Sequence, residues 1–317
     1  MLPWELRATT VRQLMLRAPS FNVFSIAAFR YRNVLSANGG PVDSVESEIV
    51  PVCGRPMFQA NARLSSELAW KGNHTIYGDA DGTGTHRVAS VARHMAVSAA
   101  LERWAFHSVV QSSQAAEFGF DIDPSSNGIA AVPGLSGRNA RRKAMLEAVE
   151  RFSLGAWWEG RGRWRLFDTD WPGVSAVAID GPFGGVTVIA FSRTSYGMFA
   201  YGHAAEESFG AACERAVIQL ARHERMLYSW WLGFVSGEKR TPVDLFERRC
   251  LFFGTEEGNG LFLKRLKDGI QTEMPKPGVI CDRGIPGSWD DYTTVWRFAL
   301  RPHSWGYLNG GDDYFFW

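Results

Sequence analysis

The chain has 317 residues, 45% of them hydrophobic and 21% charged, enough for one large globular domain or two fused halves. A formal net charge of +1 gives no acidic or basic excess that would point to nucleic acid or to a membrane surface. The four cysteines, Cys53, Cys213, Cys250 and Cys281, form no Cys-x-x-Cys pair and read as free thiols of a cytoplasmic protein, with neither a disulfide frame nor a zinc knuckle.

The first residues lack the basic start and apolar run of a signal peptide. No stretch approaches the roughly 18 uninterrupted apolar residues of a membrane helix. Val23–Phe29 fits a strand or a short helix equally well, and Ser36–Ser47, turn-rich and acidic, is expected to be a surface loop. Arg87–Ser108 is predicted as a long helix, because Val88, Val91, Ala92, Met95 and Ala99 recur at a spacing of about 3.6 residues. A polar turn, Ser125-Ser-Asn-Gly128, precedes a second long helix over Arg138–Trp157. The period then changes. Val174–Ile179, the Gly-rich connection 181–185 and Val186–Phe191 read as a β-hairpin, followed by a short strand at Met198–Tyr201. A third long helix is predicted for His203–Trp231. Residues 232–291 read as loop-rich with Gly254–Gly260 exposed, and Tyr292–Leu300 reads as a late strand. The mixture is α+β with a mixed or antiparallel sheet. No linker divides the chain, so one domain over residues 1–317 is expected, with 1–74 poorly assigned.

Two of these helices carry nearly the same wording: Ser98-Ala-Ala-Leu-Glu-Arg-Trp104 and Met145-Leu-Glu-Ala-Val-Glu-Arg-Phe152. The third, Ala211-Ala-Cys-Glu-Arg-Ala-Val-Ile-Gln-Leu-Ala221, is similar in character. Carboxylates on apolar helix faces are costly unless something cationic meets them. Glu147, Glu150 and Arg151 stand at i, i+3 and i+4, and are expected on one side of their helix. Taken alone they fit an ion-paired, solvated stripe worth about 0.2–0.5 kcal/mol per pair. The sharper reading gives the carboxylates to Mg²⁺ and the guanidinium to a phosphate. Gly82-Thr-Gly-Thr85 leads into the first helix, a setting suited to an anion, but it lacks the Gly-Lys-Ser/Thr ending of a Walker loop. Neither a Gly-x-Ser-x-Gly elbow nor a His-Glu-x-x-His pair is present, and Asp312-Asp313 looks like a solvated turn.

Three blocks together resemble the YcaO family of ATP-dependent enzymes that activate a peptide backbone amide. Gly82-Thr-Gly-Thr85 with Ala92-x-x-Met-Ala-Val-Ser-Ala-Ala-Leu-Glu-Arg103 is similar to the family's Gly-Lys-Gly loop and Ser-Ala-x-x-Glu-Ala-x-Glu-Arg helix. Ser126-Asn-Gly-Ile-Ala130 with Ala144-Met-Leu-Glu-Ala-Val-Glu-Arg151 resembles the Ser-x-Gly-x-Ala loop and Glu-x-x-Glu-Arg helix most closely. Gly202–His223 resembles a third helix block, and Val295-Trp-Arg-Phe-Ala-Leu-Arg-Pro302 a late strand before a Pro turn. The resemblance spans about residues 75–305 and implies a YcaO-like fold with long helices converging on a nucleotide site. It implies ATP and Mg²⁺ as cofactors. Glu102, Glu147 and Glu150 would hold the metal; Thr83, Arg103, Ser126, Asn127, Arg151, Arg215 and Gln219 would lie at the nucleotide. It also implies a precursor peptide as substrate, a separate leader-peptide-binding or E1-like partner and a homodimer. The product would be an azoline, a thioamide or an amidine in ribosomal-peptide maturation. The chain departs from the pattern at Thr83, Met95, Ala99, Gln219 and Arg222, where the family has Lys, Ser, Glu, Glu and Gln. Ala cannot ligate a metal and Gln offers only a neutral carbonyl. A degenerate, non-catalytic subunit that binds a peptide or a partner is therefore the alternative expectation.

Overall fold

Three antiparallel sheets, each backed by a long helix, make up the computed structural model, which describes residues 24–69, 80–134, 136–238, 240–242, 244–268, 272–302 and 304–315. A short helix α1 (Phe24–Arg30) and a 3-10 turn at Ser36–Asn38 lead into the first sheet. This sheet is β1 (Val42–Val52), β2 (Arg55–Leu64) and β3 (Gly82–His86), in that order. Helix α2 (Ala89–Val110) packs on β2 and β3 and touches β4 (Ile129–Val132). Helix α3 (Gly137–Trp158) lies between the second and third sheets. The third sheet runs β5 (Trp164–Asp168), β6 (Ser175–Asp180), β7 (Val186–Arg193) and β8 (Phe199–Glu206). Helix α4 (Phe209–Val235) covers β7 and β8, and α5 (Leu245–Phe253) and α6 (Glu256–Lys267) follow. Strands β9 (Val279–Gly284) and β10 (Thr294–Leu300) complete the second sheet in the order β4-β10-β9, and a short turn of helix, α7 (Gly306–Asn309), comes last.

The three long helices, the 174–191 hairpin and the late strand stand where the periodicity puts them. Other segments differ. Half of the expected loop at Ser36–Ser47, from Val42 on, is the start of an 11-residue strand, with Val42 buried and a run of exposed residues behind it. The expected Gly82-Thr-Gly-Thr85 loop is strand β3. Its glycines serve packing: a Cβ on Gly84 would stand 2.2 Å from the Ala92 carbonyl oxygen of α2. The same device recurs on β8, where a Cβ on Gly202 would stand 2.1 Å from the Leu220 nitrogen of α4. His203–Glu206 are strand residues, and α4 begins only after the Ser208 cap, whose hydroxyl accepts from the Ala211 N–H. Around Gly254–Gly260, helix α6 starts and Gly258 and Asn259 are buried. Val23, Phe316 and Trp317 lie outside the described residues.

Aromatic residues form one core: Trp157, Tyr201, Phe253, Phe262 and Phe315 are all buried together between α3, the third sheet and the chain end. All four cysteines are free. Among the described residues no helix is long and apolar enough to cross a membrane.

Candidate functional site

Glu102 on α2 and Glu147 and Glu150 on α3 come together with Arg215 of α4, where side chains from the three helices converge. Glu102 Oε2 accepts from the Ala131 N–H of β4 at 3.2 Å and from Lys143 Nζ at 3.4 Å. Lys143 Nζ is also 3.8 Å from Glu147 Oε1, one helical turn along α3. Burial, and then the charge of Glu102, push the Glu147 carboxyl up to about 8, against the pull of Lys143 and Arg215. Burial works against the Lys143 charge, but Glu102 and Glu147 more than offset it and hold its pKa above the ordinary value. Glu150 is engaged on both oxygens: Oε1 pairs with His203 Nδ1 at 2.7 Å and Oε2 accepts from the Ala205 N–H at 3.0 Å. On α4, Arg215 donates to Glu206 Oε1 at 2.7 Å, and Glu206 and Glu147 raise its pKa in spite of burial.

From Arg215 a polar seam runs along α4 toward the first sheet. Arg215, Gln219 and Arg222 follow at i, i+4 and i+7 and share a face. Arg222 donates to Gln219 Oε1 at 3.5 Å and to Thr85 Oγ1 of β3 at 2.9 Å. Thr83 Oγ1 donates to Asn61 Oδ1 at 3.0 Å, across the β2–β3 register. Arg103 points elsewhere: it is exposed and reaches the Ala80 carbonyl at 3.5 Å.

Arg151 does not join the carboxylates. It stands about 100° around α3 from Glu150 and one turn further along the axis than Glu147, and its long side chain reaches the 123–128 loop. There its NH1 donates to Asp123 Oδ1 at 3.1 Å and to Ser125 Oγ, and its guanidinium lies 5.1 Å from the centre of the Tyr307 ring. Arg297, fully buried on β10, ties down the same loop. It donates to the carbonyls of Asp123 at 2.9 Å, of Ser125 at 3.1 Å and of Asn127. Gly128 closes this loop at φ +78°, with no room for a Cβ beside the Phe298 carbonyl. Ser126 and Asn127 thus accompany Arg151, beside a cavity lined by Asp123, Asn127, Arg151, Tyr307 and Tyr314. The expected nucleotide residues therefore fall on the polar seam (Thr83, Arg215, Gln219), on the Arg151 side (Ser126, Asn127, Arg151) and on the outer surface (Arg103).

Among the described residues, no group of three or more His, Cys, Asp or Glu side chains could hold a metal ion. The chemistry of the carboxylates suits a hard cation, but their arrangement does not fit one, because Lys143 stands between Glu102 and Glu147 and Glu150 is spent on His203 and Ala205. Sequence reasoning missed Lys143, His203, Glu206 and Asp123. For Lys143 a signal existed, its i,i+4 spacing to Glu147. His203 and Glu206 carried none, since their neighbourhood read as helix.

No protein-family model matches the sequence, and neither does any curated protein. Solved structures do match. YcaO from Methanopyrus kandleri bound with AMPPCP and Mg²⁺ aligns with 91% of this chain and 93% of its own, at 14% identity and a TM-score of 0.55. A heterocyclase in complex with substrate and cofactor aligns with 90% of this chain at 11% identity and a TM-score of 0.54. This chain spans about half, 53%, of the heterocyclase chain. The chain has a YcaO-like fold, mixed helix and antiparallel sheet.

Proposed function

We propose that this chain is an ATP-dependent activator of a peptide backbone amide, acting in the maturation of a ribosomal peptide. The observation that carries the reading is the gathering of Glu102, Glu147, Glu150 and Arg215, side chains of three long helices. They do so in a fold whose solved neighbours include a YcaO bound with AMPPCP and Mg²⁺ and a heterocyclase bound with substrate and cofactor. ATP arrives as its Mg²⁺ complex. No step is routed through an ion on Glu102, Glu147 or Glu150, because Lys143 already stands against two of them.

In this reading a Cys, Ser or Thr side chain of the peptide, or an external sulfide or amine, attacks the amide carbonyl carbon. The carbonyl π electrons move to oxygen, and that oxyanion takes the γ-phosphoryl group of ATP, releasing ADP. The nucleophile's proton passes to solvent and phosphate leaves with the carbonyl oxygen; loss of the amide N–H proton then leaves an azoline, and loss of the proton on the added sulfur or nitrogen leaves a thioamide or an amidine. Guanidinium groups serve such a transfer by neutralising charge on the phosphoryl oxygens. Arg215, part-buried at the helix junction, is assigned that role, with Gln219 and Thr83 beyond it on the seam. Arg151, Ser126 and Asn127 hold the loop beside α3, and Arg103, on the outer surface, takes no part in the transfer. A separate leader-peptide-binding or E1-like protein presents the substrate, and the chain works as a homodimer.

The alternative reading, a non-catalytic YcaO-like subunit that binds peptide or partner, is favoured by the same Lys143 contact and by Ala99, where a carboxylate is missing. Incubation of the purified chain with ATP, Mg²⁺, precursor peptide and partner separates the two. Peptide-dependent release of ADP and phosphate, with a mass change in the peptide, is expected of the enzyme. Folded protein that neither binds nucleotide nor alters the peptide would leave the scaffold.

A further inference from the structure

We infer that Lys143 is the resident cation of the carboxylate cluster, filling with a covalently tethered ammonium the position a divalent ion would need between Glu102 and Glu147. The inference rests on the YcaO reading only for why an ion is looked for there; the charge argument stands on the side chains themselves.

Lys143 is one turn before Glu147 on α3, so its stem runs along the helix toward that carboxylate. A lysine this near a surface ordinarily extends its ammonium into water. Here 35% of the side chain is exposed, and its ammonium turns inward, 3.4 Å from Glu102 and 3.8 Å from Glu147, which are 22% and 20% exposed. Glu102 Oε2 takes the Ala131 N–H as well, which fixes that oxygen from the other side. The third carboxylate cannot complete a ligand set, since His203 and the Ala205 N–H hold both its oxygens. The fourth, Glu206, is held by Arg215.

Magnesium demands near-octahedral oxygen ligation at about 2.0–2.1 Å and gives up its water reluctantly. An ion placed between Glu102 and Glu147 would meet the ammonium there, like charge against like charge. The ion must expel Lys143 or stay out. A lysine supplies one positive charge instead of two, cannot be removed by a chelator, and makes the cluster independent of the metal supply. The position carries a structural charge, and any Mg²⁺ that reaches the site comes with the nucleotide.

Mn²⁺ binding, followed by electron paramagnetic resonance on the full chain without nucleotide and with Mg²⁺ as competitor, tests this. Wild type is expected to show no saturable site that Glu147→Gln removes. Lys143→Met is expected to gain one, at least about tenfold tighter than anything in wild type, and Glu102→Gln in that background is expected to abolish it. Lys143→Met with no gain overturns the inference. So does a wild-type Mn²⁺ site that Glu147→Gln destroys, and this second comparison decides the matter if Lys143→Met does not fold. Nucleotide binding by wild type is read separately. Its loss would sink the proposed function while a gain of Mn²⁺ binding in Lys143→Met still upheld the tethered cation.

Discussion

The two sides of helix α3 carry opposite charge excesses, although the residues that define them, Glu150 and Arg151, are neighbours in the chain. On one side four carboxylates, Glu102, Glu147, Glu150 and Glu206, meet Lys143, Arg215 and His203. On the other, two guanidiniums, Arg151 and Arg297, share the single carboxylate of Asp123, with the Tyr307 hydroxyl donating to it at 3.0 Å. Arg151 stands about 100° around α3 from Glu150 and one turn beyond Glu147, and Asp123, Ser125 and Tyr307 engage its guanidinium there. The acidic side has the composition to receive cations; the basic side is organised around loop carbonyls. Charge pattern along the sequence is therefore a poor guide to which groups act together.

The largest effect is expected at Arg297. Its guanidinium holds the carbonyls of Asp123, Ser125 and Asn127 with no exposure to solvent. Arg297→Met is expected to cost about 3–5 kcal/mol, because it leaves buried acceptors unpaired. Urea unfolding measures it, and a loss below 1 kcal/mol would show that the basic side is not a structural unit.

Glu147→Gln should behave in the opposite way. A carboxyl whose folded pKa is raised binds its proton more tightly in the native state, so its stabilising effect is present at low pH. That effect is lost as pH climbs from about 4.5 toward about 8. The variant is expected to match wild type near pH 5. At pH 9 it should be more stable than wild type by roughly 2 kcal/mol, allowing for partial solvent screening. Thermal melts across that range read the crossover, and parallel curves would remove the charge-strain account of the acidic side.

Glu150→Gln keeps an acceptor for the Ala205 N–H but removes the carboxylate that meets His203 Nδ1. A cost of about 1.5 kcal/mol is expected, read by urea unfolding. Tyr307→Phe is the mildest change, removing one hydroxyl from Asp123 while keeping the ring against Arg151, and about 1 kcal/mol is expected. A larger effect than that of Arg297→Met would mean that Tyr307, not Arg297, organises the basic side.

The long helices were legible because Ala-rich 3.6-residue periodicity is a strong signal, and the 174–191 hairpin because Gly-rich turns between β-branched runs are another. Strand β1 was hidden by composition. Only Val42, Val50 and Val52 are buried in it, and the acidic residues between them read as loop. Strand β3 was hidden by its glycines, which serve close approach to α2 and only look like a turn. At the site, the grouping of Glu102, Glu147 and Glu150 followed from the repeated Glu-Arg wording. The separation of Arg151 was not legible, because at i+4 it shares a face with Glu147 and only the tertiary partners Asp123 and Ser125 draw it away. His203 was out of reach, because its strand was read as the start of α4.

The claim at the centre is that this YcaO-like fold uses its helix junction for nucleotide chemistry. Calorimetric titration of ATP with Mg²⁺ into the purified chain, with precursor peptide and partner present, tests it most directly. The account predicts saturable binding that is weakened at least about tenfold, roughly 1.4 kcal/mol, by Arg215→Ala in a protein that remains folded. No detectable binding by folded wild-type protein would contradict it.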